Sequence, residues 1–322
     1  MNKVVVVGAG LAGCEAANAI ASLGVNVDLI EMKPERYTPA HSSPLFAELV
    51  CSNSLKASRI DSAAGLLKAE MRKLGSICLN AADSSSVAAG GALAVDRLDF
   101  SRYITESIKE NPRINVINKT ITDIPRDDVT IIATGPLTDG QLSENIAAYL
   151  NSENLSFYDA AAPIVTRESI DFDIAFSASR YDENSEGDYI NCPMNKAEYE
   201  IFYNELINAE SAKTHDFDVY EGCMPIEVLA KRGVDSIRFG PLKPVGLRDP
   251  RTGHRPWACV QLRKENFKGT MFNIVGFQTN LRFSEQKRVF SLIPGLKNAD
   301  FLRYGVMHRN TFINSPKLLN RD

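Results

Sequence analysis

The chain opens with Lys3 and four valines, Val4 to Val7, and then runs Gly8-Ala9-Gly10-Leu11-Ala12-Gly13; no other stretch limits the fold as tightly. A short β-branched run without polar interruption is the pattern of a strand buried on both faces of a parallel sheet. The GxGxxG spacing leads into a helical stretch over residues 11–23, with Gly24 placed to end it. A second strand over residues 25–30 stops at Glu31, 23 residues after Gly8. Gly8 permits the tight turn, Gly10 lets a pyrophosphate approach the backbone, and Gly13 lets helix and strand pack closely. The helix N-terminus then presents unpaired N–H groups to the phosphates. Glu31 is placed to accept a hydrogen bond from a ribose 2′-hydroxyl. A competing pattern makes Cys14 the lipid acceptor of a lipoprotein signal, but its apolar region would span eight residues with two glycines and leave the second strand without a role. The segment therefore reads as a dinucleotide-binding βαβ unit, with Ala9, Leu11 and Ala12 completing the phosphate-facing loop.

Residues 128–136, DVTIIATGP, form another buried-strand pattern and end in Ala133-Thr134-Gly135. In flavoproteins built like glutathione reductase, a strand ending this way runs beneath the cofactor, so the pairing favours FAD over NAD as the resident group. Helices are expected over residues 63–74 and 99–111, and short strands over 115–117 and 120–124. The expected fold is α/β: a glutathione-reductase-like FAD-binding Rossmann domain, residues 1–165 and 301–322, with an inserted α+β domain, residues 166–300.

Composition closes off other classes. Hydrophobic residues at 44% and charged residues at 24% suit a folded soluble protein, and no apolar run reaches the roughly 18 to 20 residues of a membrane span. Six cysteines lie at least 27 residues apart. That spacing excludes zinc ribbons and the close cysteine pair of flavin disulfide reductases, implies no metal, and suits the reducing cytoplasm. The net charge of −4 conceals an asymmetry: residues 231–322 carry 18 Lys and Arg against 6 Asp and Glu, and the remaining residues 18 against 34. A basic C-terminal third on an acidic body points to a polyanionic partner. Its Pro- and Gly-punctuated stretch GPLKPVGLRDPRTGHRP carries Arg248, Arg251 and Arg255 and reads as an exposed flap for phosphates. Two cysteines sit in polar, turn-rich surroundings: Cys51 beside Ser52, Asn53 and Ser54, groups that can hydrogen-bond a cofactor or substrate, and Cys223 within EGCMPIE.

VVVVGAGLAGCEAA, TPAHSSPLFAELVCSNSLK, AAGGALAVDR, EGCMPIEVLAKRG, FGPLKPVGLRDPRTG, NIVGFQTNL and YGVMHRNTFINSPKLL together resemble the folate- and FAD-dependent tRNA (uracil-5-)-methyltransferases of bacteria, over the whole chain. The resemblance implies a cytoplasmic enzyme that makes 5-methyluridine in the T-loop of tRNA. It implies 5,10-methylenetetrahydrofolate as one-carbon donor and FAD reduced by NAD(P)H. Cys223 is then the nucleophile at C6 of uracil, and Cys51 sits near the flavin and assists proton abstraction at C5. His308 is a candidate to stack on a pterin or flavin, and Arg282, Lys287 and Arg309 are candidates for phosphate contacts. Family members continue past NSPKLL with a segment that closes the flavin site, so a chain ending at Asp322 reads as C-terminally short. Two alternatives stay open: the same chemistry on ribosomal RNA, and an RNA-binding homologue without catalysis. A related flavoprotein family acting on wobble uridines carries a long helical C-terminal region that this sequence lacks.

Overall fold

The computed structural model describes residues 3–126, 128–151, 155–180, 187–212 and 224–319. The valine run forms β1 (Lys3–Val7), the glycine turn enters α1 (Leu11–Ser22), and β2 (Asn26–Glu31) follows. Next come β3 (Ser54–Ala57), α2 (Ala63–Lys73), α3 (Ile77–Ser84), β4 (Ser86–Val87), β5 (Ala92–Val95), α4 (Arg97–Glu110) and β6 (Ile114–Asn118). Beyond them lie β7 (Val129–Ile132), α5 (Gly140–Tyr149), β8 (Leu155–Ala160), β9 (Ile164–Thr166), β10 (Phe176–Ala178), β11 (Tyr189–Met194) and α6 (Lys196–Asn208). The chain continues through α7 (Ile226–Ala230), β12 (Ala258–Lys264), β13 (Met271–Ile274), α8 (Phe283–Phe290), β14 (Phe301–Arg303), β15 (Met307–Phe312) and α9 (Ser315–Leu318).

Strands β6, β2, β1 and β7 lie in that order in one all-parallel sheet. α4 shows how sequence places a helix on it. Asp96 accepts hydrogen bonds from the N–H groups of Leu98 and Asp99, and the buried Phe100, Ile104 and Ile108 recur every fourth residue. They pack with Val4, Val6 and Leu29 of the sheet and with Ala17 and Ala21 of α1. Each such side chain contributes roughly 1.5–3 kcal/mol on burial, and truncating Ile104 to alanine would cost roughly 2–5 kcal/mol.

The second layer is a six-stranded antiparallel sheet in the order β10-β11-β12-β13-β9-β14. Phe202 of α6 and Phe290 of α8 close its core over Val260, Leu262 and Phe272. One expectation needs correction. Residues 120–124 form no strand, because nothing pairs beyond β6 and the segment turns inward to wall a cleft. The expected edges of the insertion, at 165/166 and 300/301, lie within β9 and immediately before β14, and both strands pair into the six-stranded sheet.

The two layers are joined by buried polar contacts. Arg97 donates to Glu265 at 2.6 Å and to the carbonyl of Leu49 at 2.5 Å. Arg263 donates to the side chains of Asn53 at 3.0 Å and Ser52 at 2.9 Å. Glu265 is 3% exposed and Arg263 is 7% exposed, so these charges are held by protein partners.

Candidate functional site

The glycine loop lies at the C-terminal edge of the parallel sheet, where open α/β sheets take ligands. Gly8 has φ +99°, and a β-carbon there would meet the Ala133 carbonyl oxygen at 2.7 Å. A β-carbon on Gly13 would lie 1.7 Å from the Gly8 carbonyl oxygen. Both glycines therefore serve the packing of the loop against α1 and the end of β7. Gly10 differs: it caps α1 with no side-chain cap, and a β-carbon there meets nothing within 4 Å. Leu11 and Ala12 are exposed in the first helical turn, with no acidic side chain beside them. Free N–H groups, a positive dipole end and open space together fit a pyrophosphate.

The cleft beyond this loop is walled by Glu31, Lys33, Thr38, His41, Glu48, Lys119, Ala133 and Thr134. Glu31 accepts the N–H of Ala9 at 2.7 Å and that of Lys33 at 3.0 Å. Its carboxylate thus braces the glycine loop, which the motif alone did not suggest, and each oxygen keeps acceptor capacity for a ribose hydroxyl. Lys33, 4% exposed, donates to the carbonyls of Ser43 and Leu45 and lies 3.6 Å from Glu48. Gly135 ends the β7 pattern with φ +72°, and Pro136 accepts the N–H of Thr311 at 2.6 Å. That bond brings β15 to the cleft, which continues as a cavity of about 730 Å³ past Thr38 and Thr138 to His308 and Arg309.

A second cluster is assembled there from distant parts of the chain. β8 and β15 are antiparallel partners, with Asp159 opposite His308. Cys51 approaches from the loop after β2, held by Arg97, which donates to the carbonyls of Leu49, Val50 and Cys51. Cys51 Sγ lies 3.2 Å from His308 Nε2 and 3.8 Å from Asp159 Oδ2. Burial pushes the Cys51 thiol up to about 12, Asp159 adds to this, and Arg303 and Arg97 oppose it. Burial likewise holds His308 below the usual histidine range, opposed by Asp159. At neutral pH the pair is a thiol and a neutral imidazole, so the thiol is the donor and Nε2 the acceptor. Asp159 and Arg303 escaped sequence reasoning; one polar residue in the otherwise strand-like YDAAAPIV was the only trace of the former.

Other expected site residues fall elsewhere. Asn53 is fully buried and donates to the carbonyls of Val95 and Lys264 while accepting from Arg263, so its side chain is committed to the junction between layers. Arg248, Arg251 and Arg255 are exposed as expected, although Arg251 is tied to Asp249 at 2.8 Å and Arg248 donates to the Gly253 carbonyl. Arg282 pairs with Glu210 at 2.5 Å, Lys287 is exposed on α8, and Arg309 is exposed on the cavity wall. Cys223 lies outside the described residues. The chain on either side of it is anchored to one segment: Ala212 donates to the Asn280 carbonyl and Ile226 to that of Gln278, each at 2.7 Å.

Among the described residues no helix is long and apolar enough to cross a membrane. The family model described as Glucose inhibited division protein A matches residues 3–322. The chain is 62% identical to the methylenetetrahydrofolate-tRNA-(uracil-5-)-methyltransferase TrmFO of Acetivibrio thermocellus, over 98% of this chain and 73% of that protein. It is 58% identical to the protein of the same name from Caldicellulosiruptor bescii, over 99% of this chain and 74% of that one. Among solved structures, GidA of Aquifex aeolicus shares the fold with a TM-score of 0.68 at 15% identity, over 97% of this chain and 55% of that one. The chain belongs to the Glucose inhibited division protein A family, within its methylenetetrahydrofolate-tRNA-(uracil-5-)-methyltransferase branch.

Proposed function

We infer that this chain methylates carbon 5 of uridine in tRNA, taking the one-carbon unit from 5,10-methylenetetrahydrofolate with FAD as resident cofactor and NAD(P)H as reductant. The observation that carries the reading is 62% identity, over 98% of the chain, to a protein named for that reaction. A cleft fitted to a dinucleotide and running to His308, the neighbour of Cys51, agrees with it. FAD, when bound, supplies the electrons that turn a methylene into a methyl group.

Carbon 5 of uracil is too weak a nucleophile to take a one-carbon electrophile unaided. A thiolate that adds at C6 forms an S–C6 bond and leaves an enolate whose electron pair is available at C5. After the one-carbon unit bonds at C5, the C5 proton must leave, and expulsion of the sulfur restores the ring. Cys51 does not suit the first task, because a thiol pushed up to about 12 holds almost no thiolate at neutral pH. It suits the second: with His308 neutral and 3.2 Å away, the pair can receive the C5 proton. Cys223 is assigned to attack C6, the role that the resemblance to the methyltransferase family implies for it. Gly8, Ala9, Gly10, Leu11, Ala12, Gly13 and Glu31 are assigned to the dinucleotide, and Ala133, Thr134 and Gly135 to the floor beneath it. The T-loop as target, a cytoplasmic setting and phosphate contacts from the basic C-terminal third complete the reading.

The test is nucleoside analysis of tRNA after incubation with each variant. Cys223→Ala should yield no 5-methyluridine while keeping its flavin spectrum. If Cys51→Ala alone is inactive and Cys223→Ala turns over, the two roles are exchanged. Product appearing in ribosomal RNA but never in tRNA would move the substrate.

A further inference from the structure

Cys51, Asp159 and His308 do more than flank a cofactor cleft. Their ligand-type atoms lie mutually within 4.8 Å, and among the described residues no other group of three His, Cys, Asp or Glu does so. We propose that Cys51 Sγ, His308 Nε2 and Asp159 Oδ2 form a three-ligand site for a thiophilic divalent cation of the Zn2+ type, and that occupancy silences Cys51. The metal site goes beyond the methyl-transfer reading and stands whether or not that reading holds, whereas the silencing rests on the role that reading gives Cys51.

Geometry is the first support. At the usual bond lengths to sulfur, imidazole nitrogen and carboxylate oxygen, a tetrahedral zinc ion spaces its ligand atoms about 3.4 to 3.6 Å apart. The three separations here are 3.2 Å for sulfur to nitrogen, 3.8 Å for sulfur to oxygen and 3.9 Å for nitrogen to oxygen. The atoms therefore lie within about 0.5 Å of one face of a coordination tetrahedron, and the fourth position can open to the cavity that His308 lines. Charge is the second support: a thiolate and a carboxylate neutralise a dication, and the imidazole ligates in the neutral form in which burial holds it. The third is placement, since two of the three ligands sit on paired strands with Asp159 directly opposite His308. His308 Nε2 and Asp159 Oδ2, 3.9 Å apart, must close by about 0.5 Å on a tetrahedral ion, so all three side chains adjust on a fixed backbone register.

Two features temper the affinity. His308 Nδ1 has no acceptor to orient the ring, a lack that typically costs about 10–100-fold in metal binding. Arg303, close enough to Cys51 to lower its pKa, adds a repelling charge. A site of this kind takes up metal reversibly and releases the thiol proton as it does so.

The experiment is Zn2+ titration of the purified chain, with its flavin content recorded, against a chromophoric chelator. Co2+ is the spectroscopic probe. The wild type should take up one equivalent, and Co2+ should give a thiolate charge-transfer band in the near ultraviolet. Cys51→Ser should lose the band, and His308→Ala and Asp159→Asn should each weaken Zn2+ binding by about 100-fold or more. Affinity should rise with pH. Matching thermal melts identify the variants that remain folded, and Asp159→Asn leaves the side-chain volume almost unchanged. Wild-type binding no tighter than that of Cys51→Ser, or a cobalt band that survives in Cys51→Ser and vanishes in Cys223→Ala, overturns the proposal.

Discussion

Replacing Gly10 by valine separates cofactor binding from folding. Gly10 sits at φ −74° and ψ −171°, backbone open to any residue, and a β-carbon there meets nothing within 4 Å. The folded chain should therefore accept the substitution at a cost of about 1 kcal/mol or less, chiefly from a poorer helix cap. The pyrophosphate cannot accept it, because the new side chain fills the space through which phosphate oxygens reach the first-turn N–H groups. A hydrogen bond to a charged group contributes roughly 1.5–3 kcal/mol, so losing two weakens FAD binding by about 3–6 kcal/mol, or roughly 10²- to 10⁴-fold. Flavin fluorescence titration reads the affinity, and a thermal melt of the flavin-free chain reads the fold. Gly13→Ala is the contrasting variant: its β-carbon would lie 1.7 Å from the Gly8 carbonyl oxygen, so it should lose stability and flavin together. A folded Gly10→Val chain that binds flavin with wild-type affinity would refute the placement of the pyrophosphate.

Acidification should destabilise the chain before its carboxylates titrate, because burial holds both His41 and His308 below the ordinary histidine value of 6.5. The unfolded chain then binds the extra protons, and stability falls as pH drops from about 6.5 toward the lower folded values. Denaturant midpoints between pH 8 and 5 measure this, and His308→Gln should flatten part of the slope; a slope unchanged in that variant would remove the contribution. Neutralising Arg248, Arg251 and Arg255 together should flatten the log–log salt dependence of tRNA binding by about two units, given about 0.9 per duplex phosphate contact. Three units are not expected, since Arg251 is already committed to Asp249. An unchanged slope would shift the footprint to Arg282, Lys287 and Arg309.

What was legible in the sequence was what is local. The valine run, three glycines and Glu31 fall within 31 residues, and each acts on its neighbours, so strand, turn and helix follow from that segment alone. Asn53 shows the limit. Its polar surroundings suggested a ligand contact, but its partners lie 42 and 210 or more residues away and make it a strut. Asp159 meets His308 only because β8 and β15 pair directly although the strands of the six-stranded sheet lie between them in sequence, and nothing within either segment announces that pairing. β9 and β14 are hidden for the same reason, since they are short and their membership of a sheet is decided by strands far along the chain.

The Arg97–Glu265 contact has a mechanical consequence. Arg97 begins the helix behind the parallel sheet, Glu265 follows the central strand of the other sheet, and the same guanidinium holds the backbone at Leu49, Val50 and Cys51. Parting the two halves like jaws would tear this clamp and shift the loop that carries the cysteine. Removing Arg97 alone would leave the buried Glu265 carboxylate without its partner, a change that typically costs about 3–5 kcal/mol. The contact that joins the two halves therefore also fixes the backbone that carries Cys51, so a change at Arg97 reaches the cysteine as well as the junction.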